Sequence, residues 1–181
     1  MNHILLQTVY ILRRPSWWIA AFLSLAAMMQ GMIGEGLSKG MNLAYLIVMA
    51  MNFGVFIPLA PLAAVFAVCG HLQSAIHKSC CYPHLLRSGK RRFVIEIAIS
   101  SALAGGLALL LGWSLAIIMA RIIGASPLVG DNMLGLERTA MGTLLTGNSA
   151  WLYYLFRAFV VFLYGCFCVF CAIPIAMYRL D

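Results

Sequence analysis

The sequence predicts an all-α, polytopic transmembrane helix bundle of about four spans. Hydrophobic residues make up 64% of the 181 residues and charged residues only 9%, which is more apolar surface than a soluble domain of this size could bury. Four apolar segments approach or exceed the roughly 20 residues with which a helix crosses a bilayer. Most basic residues lie at the ends of these segments, where lipid headgroups account for them.

The chain begins with a short amphipathic stretch, Ile4 to Leu12, followed by Arg13-Arg14-Pro15. We expect this stretch to form an N-terminal amphipathic helix. No small-residue cleavage site follows a short apolar core, so we expect no cleavable signal peptide. The first span is predicted near 17–33 and opens with a Trp-Trp pair that suits the headgroup boundary.

The second span is predicted near 43–68. At ~1.5 Å per residue it would be about 40 Å long, against a hydrocarbon core of about 30 Å. We therefore expect it to tilt, or to bend at Pro58 and Pro61. The third and fourth spans are predicted near 93–118 and 151–177, and residues 1–181 are expected to form a single transmembrane domain.

The outer connection, Arg121 to Ala150, is expected to contain a break followed by a short surface helix. Pro127, Gly130 and Asp131 favour the break. The Asp131 carboxylate could cap the helix by accepting free backbone N–H groups.

The basic residues predict the orientation of the bundle. With four spans, most of them fall on one side, which the positive-inside rule assigns to the cytoplasm together with both termini. On this side we expect Arg13, Arg14, Lys78, Arg87, Lys90, Arg91, Arg92 and Arg179. On the outer side we expect Lys39, Arg121 and Arg138.

The segment 71–92 combines basic residues with apolar Ile76, Tyr82, Leu85 and Leu86. This mixture suits a helix with its apolar face on a protein partner and its basic edge near lipid phosphates. The alternative is a membrane-surface helix with no partner.

The third span carries small residues at a spacing of four. Such residues let helices approach closely in lipid. They are Ala98, Ser101, Ala102, Gly105 and Gly106. Packing within the chain is the favoured interpretation, and a dimer contact is the alternative.

Two charged residues lie within predicted spans. Glu96 follows Arg92 by one turn, which favours a structural ion pair over a proton or ion site. Arg157 lies about two turns into the fourth span. It could extend to the outer headgroups, or it could face a cavity and bind an anionic or polar cargo.

No catalytic or metal site is expected. His77, Cys80, Cys81 and His84 would share one helix face and suit zinc by ligand type, but Pro83 argues against a regular helix there. Acidic residues are too few for a catalytic set, and no histidine has a partnered nucleophile. The net charge of +7 does not indicate nucleic acid, because no basic face alternates with aromatic residues.

Three stretches carry a resemblance to a known family. Ile11 to Trp18 is similar to an amphipathic lead-in and first-span entry. Ala75 to Arg92, with Leu85-Leu86-Arg87-Ser88-Gly89-Lys90-Arg91-Arg92, is similar to a short helix and a Gly- and Arg-containing turn before the third span. Ser101 to Gly112 is small and apolar. In these respects the chain resembles the membrane subunit of bacterial type-2 ATP-binding-cassette exporters, although members of that family usually have six spans.

The resemblance implies a permease in the bacterial cytoplasmic membrane that pairs with a second membrane subunit, identical or related. Each subunit would dock on a separate ATPase, which would bind ATP and Mg²⁺, while this chain would hold no cofactor. The expected coupling residues are His77, Tyr82, Leu85, Leu86, Arg87, Lys90, Arg91 and Arg92. The alternative function is a non-transporting scaffold or accessory subunit that oligomerises through small-residue helix faces.

Overall fold

The computed structural model describes residues 2–37, 40–77, 90–126 and 150–178. Within these ranges the chain folds into helices, and the only strand-like pairing is one isolated bridge between Asn42 and Ser126. The described helices are α1 (Asn2–Leu12), α2 (Pro15–Gly34), α3 (Leu43–Asn52), α4 (Phe56–His77), α5 (Lys90–Ile123) and α6 (Ala150–Tyr178). The predicted all-α helical bundle is confirmed.

Four of these helices, α2, α4, α5 and α6, are long and apolar enough to cross a membrane. The chain is thus a multi-pass membrane protein. The helix α5 lies at the centre and contacts every other described helix. Its buried residues are mostly small, such as Ala104, Ala108 and Ala116, and small side chains let neighbouring helices pack close to it.

The joint between α1 and α2 is two residues long. Arg14 has an extended backbone (φ −78°, ψ 142°) and Pro15 is the first residue of α2. A residue before proline is disfavoured in the helical region, and proline suits the first helical position because it lacks an N–H. The predicted N-terminal helix, α1, packs its Thr8 and Ile11 face into the bundle and leaves Leu5 exposed.

The expectation of one continuous second span over 43–68 is wrong. Residues 53–55 interrupt it, so that α3 is a separate short helix and the spanning segment runs over Phe56–Ser74. With 10 residues, α3 is about 15 Å long and too short to cross. The chain breaks where Gly54 packs onto Gly31 of α2, whose Cα would lie 3.1 Å from a Cβ at position 54.

The two prolines expected to bend that span occupy different settings in α4. Pro58 lies in the first turn, where the backbone N–H groups have no helical partner in any case. Pro61 lies inside the helix and removes the N–H that would bond the carbonyl of Ile57. Tyr164 on α6 donates its hydroxyl to that oxygen at 3.4 Å.

The segments that follow α2 and α5 meet at one end of the bundle. Gly40 donates its N–H to the Gly124 carbonyl at 3.1 Å, and Ser126 donates to the Met41 carbonyl at 2.8 Å. Gly124 has a φ of +107°. Glycine adopts a positive φ more readily than other residues, and it is common directly after the end of a helix. This shared end is the one that the four-span topology predicts to be outer.

Candidate functional site

At the opposite end of the bundle, polar side chains of α4 and of the α1–α2 region meet. We define the Arg14 cluster as Tyr10, Arg14, His71 and Ser74. Arg14 Nη2 donates to the Tyr10 hydroxyl at 3.0 Å and to the Ser74 hydroxyl at 3.1 Å. The guanidinium carbon lies 4.8 Å from the centroid of the Tyr10 ring, within the range of a cation–π contact. The Ser74 hydroxyl in turn donates to the His71 carbonyl at 2.9 Å.

Local sequence places Arg14 against α4. Tyr10 precedes it by four residues, so that the two side chains lie near each other at the end of α1. On α4, position 70 is glycine, and a Cβ there would lie 3.2 Å from Arg14 Nη1. The missing side chain therefore makes room for the guanidinium beside the last two turns of α4.

His71 is buried, with 8% of its surface exposed. Neither ring nitrogen has a hydrogen-bond partner among the described residues. The ring lies edge-on to that of Tyr10, with 6.2 Å between centroids. An unsatisfied buried polar group costs about 1–3 kcal/mol, so this part of the cluster has hydrogen-bonding capacity that the described chain does not use.

Two further hydrogen bonds hold the same end of the bundle to α5. Ser100 donates its hydroxyl to Gln7 Oε1 of α1 at 3.1 Å. Trp17, near the start of α2, donates its indole N–H to the Ala104 carbonyl at 2.8 Å. These bonds fix α1 and α2 on the central helix, so that the Arg14 cluster has a rigid base.

Glu96 and Arg92 are brought together by the structure. Arg92 Nε lies 3.1 Å from Glu96 Oε1, one turn apart on α5, with 74% of the arginine side chain and 12% of the glutamate side chain exposed. The ion pair lies at the beginning of α5 and includes the last residue of the segment 71–92.

The small residues of the third span lie in contacts within the chain. A Cβ at Gly106 would lie 2.6 Å from Cys166 Sγ of α6, and one at Gly105 would lie 3.1 Å from the Ala64 carbonyl of α4. Ala98 and Ser101 are buried and Ala102 is half-buried.

Two further glycines in close helix contacts were missed by the sequence analysis. Gly165 of α6 faces Gly106, and Gly112 of α5 faces Ser24 of α2, where an added Cβ would lie 2.6 Å from the Ser24 Cβ. A glycine within an apolar span was the available signal for both.

Arg157 is half-buried on α6 and hydrogen-bonds within its own helix. Its Nε donates to the Tyr153 hydroxyl at 3.3 Å, and its guanidinium carbon lies 5.4 Å from the centroid of the Tyr153 ring. Both contacts are one helical turn towards the predicted outer end. The side chain is thus directed to that end, as a headgroup-seeking arginine would be.

Four of the eight predicted coupling residues, and several other residues singled out in the sequence, lie outside the described part of the chain. These are Tyr82, Leu85, Leu86 and Arg87, together with Cys80, Cys81 and His84 of the rejected metal set and the outer segment from Pro127 to Ser149. His77, Lys90 and Arg91 are described only as helical backbone, at the ends of α4 and α5.

The Arg14 cluster itself was not predicted. From the sequence, Arg14 is expected only to orient the bundle and His71 to begin the segment 71–92, whereas in the structure α4 continues to His77. The residues come from segments about 60 positions apart, and no local pattern joins them.

The described residues contain no group of three or more His, Cys, Asp or Glu that could hold a metal ion. No protein-family model, curated protein or solved structure matches the chain. Any functional conclusion therefore depends on the residues and their geometry.

Proposed function

We propose that this chain is the membrane subunit of an ATP-driven exporter of the type-2 ATP-binding-cassette class. In this proposal the segment 71–92 docks on a separate ATPase in the cytoplasm, and a second membrane subunit completes the transport path. The chain contributes helices and a docking segment, while the partner ATPase binds ATP and Mg²⁺.

The observation that carries the proposal is the contact of Arg14 with Ser74. It joins the α1–α2 joint to the last turns of α4, whose residues 71–77 form the beginning of the docking segment. A force applied to that segment would move α4 as a rigid rod. Arg14 would pass the movement to α1 and to the start of α2.

The packing of the bundle would transmit the movement of α4 to the other helices. Along its length α4 contacts α2, α5 and α6, and close-packed helices transmit displacement because they cannot be compressed. The break at 53–55 separates α4 from α3. The short helix α3 could therefore stay in place while α4 moves. Alternating access requires that parts of a subunit move independently of one another.

The alternative of a scaffold that oligomerises through small-residue faces has less support. Gly105 and Gly106, the residues best suited to such a contact, pack against α4 and α6 of the same chain. A second copy would have to use another face.

The test is co-purification from mild detergent followed by measurement of ATP hydrolysis. The double variant Lys90→Glu plus Arg91→Glu reverses charge in the docking segment but leaves the Arg92–Glu96 pair intact. We expect it to insert normally and to stimulate the ATPase at least about tenfold less than the native chain does. The reversed charge would oppose docking on the ATPase surface that the native segment contacts.

The matched control is Arg121→Glu, which reverses charge at the opposite end of α5. It should leave the stimulation unchanged. If no ATPase co-purifies, or if the double variant stimulates it as well as the native chain does, the exporter proposal is wrong.

A further inference from the structure

We infer that the Arg14 cluster, with the adjoining start of α2, is a binding site for the phosphate group of an anionic phospholipid in the inner leaflet. The inference concerns a lipid site and does not depend on whether the chain transports anything. Four observations lead to it: the shortage of acidic partners, the depth of the site, the chemistry of its donors and the unused capacity of His71.

The chain has few acidic groups that could neutralise Arg14. It contains five in all. Glu96 is paired with Arg92, and Glu35 lies beyond the far end of α2, where it accepts a hydrogen bond from Tyr45 at 3.4 Å. The predicted topology places Asp131 and Glu137 on the outer side as well.

Besides the Arg92–Glu96 pair, only Asp181 is left as an acidic side chain on the inner side, for the other seven basic residues predicted there. The described partners of Arg14 are hydroxyl groups, which carry no charge. An anion from outside the chain is therefore the partner that the charge balance favours.

The depth of the site follows from the length of α2. Pro15–Gly34 has 20 residues and is about 30 Å long, which equals the thickness of the hydrocarbon core. Arg14 directly precedes this helix and so lies at the level of the lipid headgroups. Trp18, 49% exposed one turn further on, is a residue type that favours this boundary.

The donors suit a phosphate group. A guanidinium presents N–H groups in a planar fork that matches two phosphate oxygens. The backbone of Arg14 is also the N-cap of α2, and no side chain caps this helix end. The positive end of the helix dipole there favours an anion and adds to the positive charge of the guanidinium.

His71 adds a buried hydrogen-bonding group without a partner in the described chain. Its ring contacts Tyr10, whose own side chain is largely exposed, with 55% of the residue's surface accessible. A headgroup bound beside the paired side chains of Arg14 and Tyr10 would bring oxygen atoms towards this unsatisfied imidazole. In this proposal a lipid oxygen supplies the hydrogen bond that the described residues do not give to His71.

The experiment measures retention of phosphatidylglycerol by the full-length chain in native mass spectrometry, with phosphatidylcholine as reference lipid. We expect Arg14→Gln to weaken phosphatidylglycerol binding about tenfold, because charge-assisted hydrogen bonds are lost. Arg13→Gln removes the same charge from the neighbouring, exposed residue and should change binding less than about twofold. Equal losses in the two variants would overturn the inference and indicate diffuse attraction.

One further variant and one competition experiment complete the test. Arg14→Lys retains the charge but loses the planar fork, so it should bind several-fold more weakly than the native chain even if Arg14→Gln does not fold. Full retention by Arg14→Lys would contradict the proposed geometry. Inorganic phosphate at millimolar concentration should not displace the lipid. Displacement would assign the site to a soluble phosphate instead.

Discussion

The hydroxyl of Tyr164 donates a hydrogen bond to the carbonyl oxygen of Ile57, 3.4 Å away on another spanning helix. Pro61 lies four residues after Ile57 and lacks the N–H that this oxygen would accept in a regular helix. Backbone groups freed by proline in a membrane helix need a new partner, since lipid supplies none. The tyrosine of α6 thus compensates for the proline of α4.

We predict that Tyr164→Phe destabilises the protein by about 0.6 kcal/mol, the usual size of an interhelical hydrogen bond in a membrane. In a Pro61→Ala background the restored N–H can bond Ile57, so the same change should cost much less. Unfolding of all four variants in mixed micelles measures the coupling. An identical cost in both backgrounds would show that the two residues do not act together.

The α5–α6 contact predicts a strong effect of a single methyl group. In Gly106→Ala the new Cβ would lie 2.6 Å from Cys166 Sγ and 2.8 Å from the Phe162 carbonyl oxygen. Because the backbone oxygen cannot move aside easily, we expect a loss of about 1–3 kcal/mol in unfolding free energy.

Gly34→Ala provides the control for this prediction. It introduces the same methyl group at the end of α2, where nothing lies within 4 Å of the added Cβ, and should be neutral or slightly stabilising. Unfolding curves that do not separate the two variants would mean that α6 is not packed on α5 as described.

The predicted orientation can be tested by thiol labelling on intact cells. In the four-span topology, Cys80 and Cys81 lie on the cytoplasmic side and position 39 lies outside. An impermeant maleimide should therefore label a Lys39→Cys variant and leave the native chain unlabelled until the cells are opened. Labelling of Cys80 or Cys81 on sealed cells would invert the topology and remove the basis of the docking proposal.

Some parts of the fold were readable from the sequence because they depend on local composition. Apolar length alone located the helices α2, α5 and α6 to within a few residues. The one-turn spacing of Arg92 and Glu96 anticipated their contact, since residues four apart on a helix are neighbours whatever surrounds them.

The break in the second predicted span was not readable in the same way. The sequence 43–68 contains no charged residue and is apolar apart from Asn52, and its prolines drew attention to positions 58 and 61. The interruption falls instead at 53–55, where Gly54 meets Gly31. The interruption coincides with a close contact between the connection from α3 to α4 and the helix α2, and hydropathy carries no information about which glycines meet.

Arg13 and Arg14 show most directly the difference between what the sequence predicts and what depends on tertiary packing. The sequence by itself determined that both are cationic, that they precede a spanning helix and that they belong at a membrane boundary. Only the tertiary structure decided that Arg14 lies against Gly70 and Ser74 while Arg13 is exposed. Charge and hydropathy are properties of a residue and its neighbours in the chain, whereas a hydrogen-bond partner 60 residues away depends on how the helices pack.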